Sequence, residues 1–146
     1  FPEVRLKKYL EMRGADSGSW ANICALPAYW VGLLYDEDAL HEAAALVRDI
    51  GAKDVMAGRL SVAKDGLRGK LGSYDVYDLA AKTLDLAFSG LRRRGIFDDS
   101  GNDETGFLQP LRAVISSKKT PAEIMLEHYH GDWAKNIDQV FTSNQY

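Results

Sequence analysis

Hydrophobic and polar positions alternate along the first stretch of the chain, residues 4–13. Only Lys8 interrupts the apolar series. Successive side chains of a β-strand point to opposite faces, so this alternation predicts one strand over about residues 3–13, with one face in a core and the other facing water or a ligand. The apolar positions are Val4, Leu6, Leu10 and Met12, and the polar positions are Arg5, Lys7, Tyr9, Glu11 and Arg13.

The polar side of this predicted strand is nearly all charge, with three cations, one carboxylate and one phenol in register. A row of cations around one carboxylate suits an anionic substrate or a metal-bound phosphate. Lys and Arg on an edge strand also protect the edge against aggregation, which is the alternative interpretation. The pattern alone leaves both interpretations open.

Beyond the strand, apolar positions recur at helical spacing and predict six or so helices. The first follows a turn at residues 17–19 and begins at Trp20, and Pro27 should break or kink it. The longest helix is predicted over about residues 75–94. Residues 120–123, Thr-Pro-Ala-Glu, form a capping box with Pro at the first helical position, which is the clearest helix start in the chain.

These patterns predict a mainly α fold in a single piece, residues 1–146, with a strand at about 3–13 and a helical region at 19–146. A strand needs partners for its backbone groups, and nothing later in the sequence reads clearly as a second long strand. The chain also begins at Phe1 without Met. We therefore expect it to be a piece of something longer. The strand then belongs to a sheet in residues that are absent here, or it pairs between copies of the chain.

Four aromatic residues lie in or beside the apolar stretch around Pro27: Trp20, Tyr29, Trp30 and Tyr35. Aromatic side chains in apolar runs usually pack in a core, and stacking on a ligand is the less common alternative. The sequence therefore predicts that this cluster is core packing around a central, buried helix.

Composition excludes several classes of function. The hydrophobic fraction of 46% and the charged fraction of 27% are typical of a globular domain. A net charge of −3 argues against nucleic-acid binding, and the longest apolar stretch, with a Pro inside it, is too short to cross a membrane. The single cysteine, Cys24, excludes an intrachain disulfide and fits a reducing compartment. We expect a cytoplasmic protein.

Three local patterns that suggest a ligand site fail on spacing. The glycines of residues 66–72 stand beside basic residues, but they match neither the P-loop nor the dinucleotide fingerprint. The acidic stretch 98–104 lacks the spacing of an EF-hand, so a solvated turn is predicted. His128 and His130 are two apart on a predicted helix and point in different directions, so they cannot share a metal.

Two long segments, residues 5–16 and 24–36, read RLKKYLEMRGAD and CALPAYWVGLLYD. These segments resemble the glutamate–cysteine ligases of the plant and proteobacterial type. Shorter similar motifs follow in the family's order at residues 103–105, 120–123 and 129–133. By this resemblance the chain is the C-terminal third of such an enzyme. The predicted strand then belongs to the sheet of this larger α+β enzyme, and the rest of the sheet lies upstream.

The resemblance implies an ATP-dependent ligase that joins the γ-carboxylate of glutamate to the amine of cysteine through γ-glutamyl phosphate, the first step of glutathione synthesis. Its partners are these small molecules and ATP, with Mg²⁺ as cofactor. It also implies that Glu11 is a magnesium ligand and that Arg13 is catalytic, in contact with the phosphates or with the acyl-phosphate oxygens. Arg5 and Tyr9 become candidates for binding a substrate carboxylate, and Lys7 is a further candidate only.

One carboxylate cannot form a dedicated magnesium site, so the resemblance also implies that the remaining ligands and most of the nucleotide pocket lie outside these residues. We therefore expect the piece alone to be inactive. The alternative is a helical binding or regulatory module related to the ligase, in which the strand face is a solvated edge or a surface for self-association.

Overall fold

The computed structural model describes residues 3–16 and 18–143, so Ser17 of the predicted turn and residues 144–146 of the predicted helical region lie outside the described residues. The described part is mainly helical, which confirms the predicted fold class. The helices are α1 (Trp20–Leu34), α2 (Glu37–Leu46), α3 (Ala52–Asp65), α4 (Val76–Arg94), α5 (Gln109–Ser117), α6 (Pro121–His130) and α7 (Asp138–Ser143). The strands are β1 (Val4–Leu6), β2 (Leu10–Met12), β3 (Lys70–Leu71) and β4 (Tyr74–Asp75), and two short 3-10 helices are Gly66–Arg68 and Glu104–Leu108.

The core lies between α1 and α4, with α2, α5 and the second 3-10 helix packed around them. Leu91 of α4 and Leu108 are fully buried, and each such leucine contributes about 1.5–3 kcal/mol by leaving water. The two long helices approach closely at Gly32 and Gly90. A Cβ built on either glycine would overlap the facing helix backbone, so this contact requires glycine on both sides.

Helix α1 continues through Pro27, so the predicted break does not occur. Proline removes one intrahelical hydrogen bond, that to the carbonyl of Ile23. Pro27 is exposed, so water can hydrogen bond to the carbonyl that loses its partner. Contacts with α4, α2 and α5 hold the rest of the helix in place.

The predicted end of the longest helix and the predicted capping box are both confirmed. Gly95 ends α4 in the left-handed conformation, with φ +62°, and Thr120 and Glu123 form the capping box that opens α6. Asp36 caps α2, where its Oδ1 accepts a hydrogen bond from the Ala39 amide at 2.8 Å. These signals were readable because capping depends on residues adjacent in sequence.

The single strand predicted over residues 3–13 is wrong in its form: β1 and β2 are two three-residue strands of an antiparallel hairpin. Residues 7–9 form the turn, and the Lys7 amide donates to the Tyr9 carbonyl at 2.9 Å. The turn contains Lys8, the one residue that interrupts the apolar alternation. An alternation continues through a tight hairpin because cross-strand neighbours share a face, so the pattern alone does not separate one long strand from two short ones.

The aromatic cluster is only partly core. Tyr29 and Trp30 are partly buried and pack against the core with ring centroids 5.2 Å apart, as predicted. Trp20 and Tyr35, at the two ends of α1, are 70% and 71% exposed, so the prediction of core packing is wrong for them. No described helix is long and apolar enough to cross a membrane.

Candidate functional site

The candidate site is the charged face of the β1–β2 hairpin. In the antiparallel register Arg5 lies directly opposite Glu11, while Val4 faces Met12 and Leu6 faces Leu10. Because directly opposed residues share one face of the sheet, the charged residues collect on one face and the apolar residues on the other. The hairpin therefore keeps the separation of faces that the sequence predicted for a single strand.

Glu11 stands at the centre of the cations. Its carboxylate accepts hydrogen bonds from Arg5 Nε at 2.7 Å and from Arg5 Nη2 at 3.2 Å. Lys7 Nζ lies 3.8 Å from Glu11 Oε1, and Arg13 Nε lies 3.7 Å from Glu11 Oε2. Three cations against one carboxylate leave a surplus of two positive charges, which suits the binding of a further anion.

Solvent reaches this face. The side chains of Glu11 and Arg13 are 27% and 28% exposed, and those of Arg5 and Lys7 are 44% and 42% exposed. Ion pairs at such exposure contribute little to stability, about 0–1 kcal/mol each. These ion pairs therefore add little to the stability of the fold.

Tyr9, which the sequence predicted as a site residue, lies apart from the cluster around Glu11. It lies in the hairpin turn and is 60% exposed. Its ring centroid is 6.0 Å from Lys7 Nζ, at the limit of a cation–π contact. The structure thus brings Arg5, Glu11 and Arg13 together, with Tyr9 at the rim beside Lys7.

Magnesium prefers hard oxygen ligands, and the partly exposed carboxylate of Glu11 suits it as one ligand. Within residues 3–16 and 18–143 there is no group of three His, Cys, Asp or Glu side chains that could hold a metal ion. Glu11 fits a shared metal site whose other ligands come from elsewhere, and it does not form such a site alone.

The acidic stretch 98–104 is a turn closed on itself. Asp98 Oδ1 accepts hydrogen bonds from the amides of Ser100 and Asn102, both at 2.9 Å. The hydrogen bonds from Asn102, with that from Ser100, lower the pKa of Asp98. Its carboxylate therefore serves the loop, in agreement with the predicted solvated turn.

Sequence reasoning missed the link between the hairpin and the helical part. Glu3 Oε1 pairs with Arg59 Nε of α3 at 2.8 Å, and the Glu3 carbonyl accepts a hydrogen bond from the Arg13 amide at 2.7 Å. The two paired side chains are more than fifty positions apart, so no local pattern could have revealed the ion pair.

The comparisons with known proteins decide the family. The family model described as "Glutamate-cysteine ligase family 2" matches residues 1–143. The chain belongs to this family. Curated relatives include the chloroplastic glutamate–cysteine ligase of Solanum lycopersicum, 45% identical, and glutamate–cysteine ligase A of Oryza sativa subsp. indica, 47% identical. The ligase of Arabidopsis thaliana is 45% identical.

Each of these matches covers 97% of this chain but only 26% or 27% of the relative. This member of the ligase family therefore spans about a quarter of the length of the curated relatives it matches, and it corresponds to their C-terminal part. The relatives are named as chloroplastic proteins, whereas a cytoplasmic location for this chain stays a prediction.

Proposed function

We propose that this chain is the C-terminal part of an ATP-dependent ligase that joins L-glutamate to L-cysteine, and that the charged hairpin face forms one wall of its active site. One observation supports this most directly: Arg5, Lys7 and Arg13 converge on Glu11 on a face that solvent reaches. The family membership of the chain supplies the class of reaction.

In the proposed reaction the γ-carboxylate of glutamate attacks the γ-phosphorus of ATP, which gives γ-glutamyl phosphate and ADP. The amine of cysteine then attacks the acyl carbon, inorganic phosphate leaves, and the amine loses a proton. Phosphoryl transfer depends on positioning and on neutralising the charge of the phosphate oxygens. Magnesium would neutralise part of the negative charge of the phosphate oxygens, and Glu11 would be one of the residues that hold it.

Each hairpin residue has a proposed part in this scheme. Arg13 donates hydrogen bonds to phosphate oxygens, which stabilises the charge that develops on them. Glu11 would supply one carboxylate ligand to magnesium, and it keeps Arg5 and Arg13 beside it. A guanidinium carries five N–H donors, and Glu11 accepts only two from Arg5, so Arg5 keeps donors for a substrate carboxylate, with Tyr9 at the rim.

The isolated 146-residue chain is proposed to be inactive. The described residues supply one candidate metal ligand and no complete metal cluster, and magnesium with ATP needs more ligands than that. We expect the purified chain to show no ATP hydrolysis that depends on glutamate and cysteine. A glutamate- and cysteine-dependent release of ADP from this chain alone would contradict the proposal.

The decisive experiment restores the missing part. The C-terminal quarter of the Solanum lycopersicum ligase is replaced by this chain, and ADP release is measured with Mg²⁺, ATP, glutamate and cysteine. Glu11→Gln should lower turnover by about a hundredfold or more, because it removes a metal ligand and the anchor of two arginines. It should also raise the Mg²⁺ concentration required for half-maximal rate.

The matched control is Glu127→Gln. Glu127 is also an exposed glutamate in an ion pair, with Lys119 Nζ at 2.7 Å, but it lies on α6 rather than on the hairpin. Its substitution should leave turnover within about twofold of the parent. Circular dichroism checks that both variants fold. Equal turnover in Glu11→Gln and the parent would mean that the hairpin face is scaffold, and the proposed role of Glu11 would be wrong.

A further inference from the structure

Glu3 is a second carboxylate beside the charged face of the hairpin. The Arg13 amide donates a hydrogen bond to the Glu3 carbonyl at 2.7 Å, which continues the ladder of β1 and β2. Glu3 therefore lies opposite Arg13 in the antiparallel register. Residues that oppose each other in this way have Cβ atoms about 4.5–5.5 Å apart, so their side chains are close enough to interact.

The stem of the Glu3 side chain also lies against the residue that follows Arg13. A Cβ built on Gly14 would be 3.4 Å from Glu3 Cγ and 3.5 Å from Glu3 Cβ, which is van der Waals distance. An opposite-charge pair across two strands is favourable, so a Glu3 carboxylate with no other partner would be drawn to the Arg13 guanidinium. Glu3 is thus a potential competitor, within the chain itself, for any anion that Arg13 binds.

Arg59 binds this carboxylate instead. Its Nε lies 2.8 Å from Glu3 Oε1, and the ion pair joins α3 to the hairpin. The helix supports Arg59 firmly, because the neighbouring Gly58 is buried and packs against β3. A Cβ built on Gly58 would be 2.5 Å from Leu71 Cδ1, so α3 and β3 are in close contact at this point.

The pair between Glu3 and Arg59 also preserves the charge of the face. Three cations against Glu11 leave a surplus of two positive charges, and a second carboxylate turned towards Arg13 would reduce that surplus to one. A smaller surplus weakens the attraction for phosphate and carboxylate groups. With Arg59 as its partner, Glu3 is neutralised by a residue outside the hairpin.

The ion pair is exposed to solvent. The side chains of Arg59 and Glu3 are 54% and 48% exposed. A pair at such exposure adds little to stability, because water screens the charges and two long side chains lose freedom. Variants that lose the pair should therefore keep the fold, and their effect on Arg13 becomes measurable by itself.

We propose that Arg59 is a positioning residue, which holds the Glu3 carboxylate away from Arg13 and so prevents it from competing with an anionic ligand for the Arg13 guanidinium. The inference rests on the proposed function, in which that ligand is a phosphate group of ATP. It adds a role for Glu3 and Arg59, which neither the family match nor the relatives' names assign.

The first test uses the chimaera in which this chain replaces the C-terminal quarter of the Solanum lycopersicum ligase. Arg59→Ala should raise the KM for ATP by about fivefold, because Glu3 then pairs with Arg13 in most molecules until ATP displaces it. The same variant should change kcat by less than about twofold, since the competitor is gone once ATP is bound. The KM for glutamate should also stay within about twofold, because Arg5 rather than Arg13 is proposed to bind that carboxylate.

A double variant separates competition from simple anchoring of the hairpin. Glu3→Gln removes the competing charge, so Arg59→Ala combined with Glu3→Gln should return the KM for ATP to within about twofold of the parent. Glu3→Gln alone, and Arg59→Lys, which keeps a cation for Glu3, should stay within the same range. An equal rise of this KM in Arg59→Ala, Glu3→Gln and the double variant would overturn the proposal, because the ion pair would then act only as an anchor. A collapse of turnover in Glu3→Gln would also overturn it, since Glu3 would then serve the site itself.

Arg68→Ala is the matched control. Arg68 is also an exposed arginine in an ion pair with a glutamate, Glu123, but it lies in the first 3-10 helix and its partner lies on α6. Its substitution should leave the KM for ATP within about twofold of the parent. A rise as large as that of Arg59→Ala would mean that the loss of either surface arginine has the same effect, and the specific role of Arg59 would be wrong.

A second measurement uses the chain itself and does not depend on catalysis. The Nε–Hε signal of Arg13 is assigned in proton–nitrogen correlation spectra with the help of Arg13→Lys. It should move in Arg59→Ala, where Glu3 becomes its neighbour, and return in the double variant. An Arg13 signal that keeps its position in Arg59→Ala would overturn the proposal.

The two measurements separate this inference from the proposed function. Movement and return of the Arg13 signal, with no turnover in the chimaera or with an unchanged KM for ATP, would support the positioning role of Arg59 and count against the proposed function. Turnover in the parent chimaera, with an Arg13 signal that Arg59→Ala does not move, would have the opposite meaning.

Discussion

The α1–α4 core and the β1–β2 hairpin show opposite relations between sequence and packing. In the core, Leu91 and Leu108 are fully buried, and glycines allow the helix backbones to touch. In the hairpin every residue of β1 is exposed, although its apolar side is as regular as that of any helix. The core has its partner within this chain. The hairpin has an apolar face that no element of the described residues covers fully, in a chain that spans about a quarter of the length of the curated relatives it matches.

The largest expected effect lies at the closest point of the core. Gly90→Ala places a Cβ against the carbonyl of Gly32, and the two helices must move apart. We expect a loss of about 3 kcal/mol or more in the free energy of unfolding, measured by urea denaturation, because overpacking adds to lost contacts. Gly106→Ala is the control, since nothing lies within 4 Å of its added Cβ. Equal stability of the two variants would mean that the helices are not in close contact.

Truncation of a leucine tests the same contrast directly. Leu91→Ala should cost about 2–5 kcal/mol, because Leu91 is fully buried and its loss leaves a cavity. Leu6→Ala, at 80% exposure, should change the free energy of unfolding by less than about 0.5 kcal/mol. A cost for Leu6→Ala that approaches that of Leu91→Ala would show that the hairpin packs within this chain, and the comparison between the regions would fail.

Acid should loosen the periphery of the core. The hydrogen bonds from Arg93 and from the Ala39 amide lower the pKa of Asp36 to about 2, from an ordinary value of 3.8. The folded pKa is the lower one, so the stabilisation is present above pH 3.8 and is lost as pH falls towards 2. Asp36→Asn should flatten this part of the curve of urea midpoint against pH. Asp38→Asn, 75% exposed and 3.9 Å from Arg93, should leave it unchanged.

Protonation of Glu123, at the start of α6, should also lower the stability of the protein as pH falls. The backbone hydrogen bond from Thr120, followed by the contact with Arg68, lowers its pKa to about 2. A urea midpoint of the parent protein that stays constant between pH 5 and pH 2 would contradict the stabilising roles of ionised Asp36 and ionised Glu123.

The smallest expected effect is that of the charged face on folding. Glu11→Gln in the isolated chain should change the free energy of unfolding by less than about 1 kcal/mol, because the ion pairs of Glu11 are exposed to solvent. Urea denaturation of this variant beside Glu127→Gln checks it. A larger loss in the free energy of unfolding for Glu11→Gln would mean that the charged face of the hairpin stabilises the fold rather than serving to bind a ligand.

The sequence predicted correctly those features that depend on residues close to one another in the chain. The capping box at Thr120 and the extent of the longest helix, about residues 75–94, were predicted and are confirmed, because each depends on residues close to one another in sequence. The exposed positions of Trp20 and Tyr35 were not predicted. An apolar stretch of sequence shows that side chains favour burial, but it does not show which other residues they pack against. The sequence therefore could not say which of the aromatic side chains are buried within this chain.

For the candidate site, alternation placed Arg5, Glu11 and Arg13 on one face, and the structure brings them together on one face. Alternation did not reveal the turn at residues 7–9 or the direct opposition of Arg5 and Glu11, because a hairpin preserves the alternation while it reverses the chain. Their roles in catalysis stay a prediction.

By itself the sequence determined the mainly helical class, the helix ends set by local caps, the separation of charged and apolar faces at residues 4–13, and the family. Only the tertiary structure decided that this segment folds back on itself, that Glu3 reaches Arg59, and that Gly32 and Gly90 let two helices touch. Local signals are encoded in neighbouring residues. Contacts between distant residues depend on the path of the whole chain, which no short pattern contains.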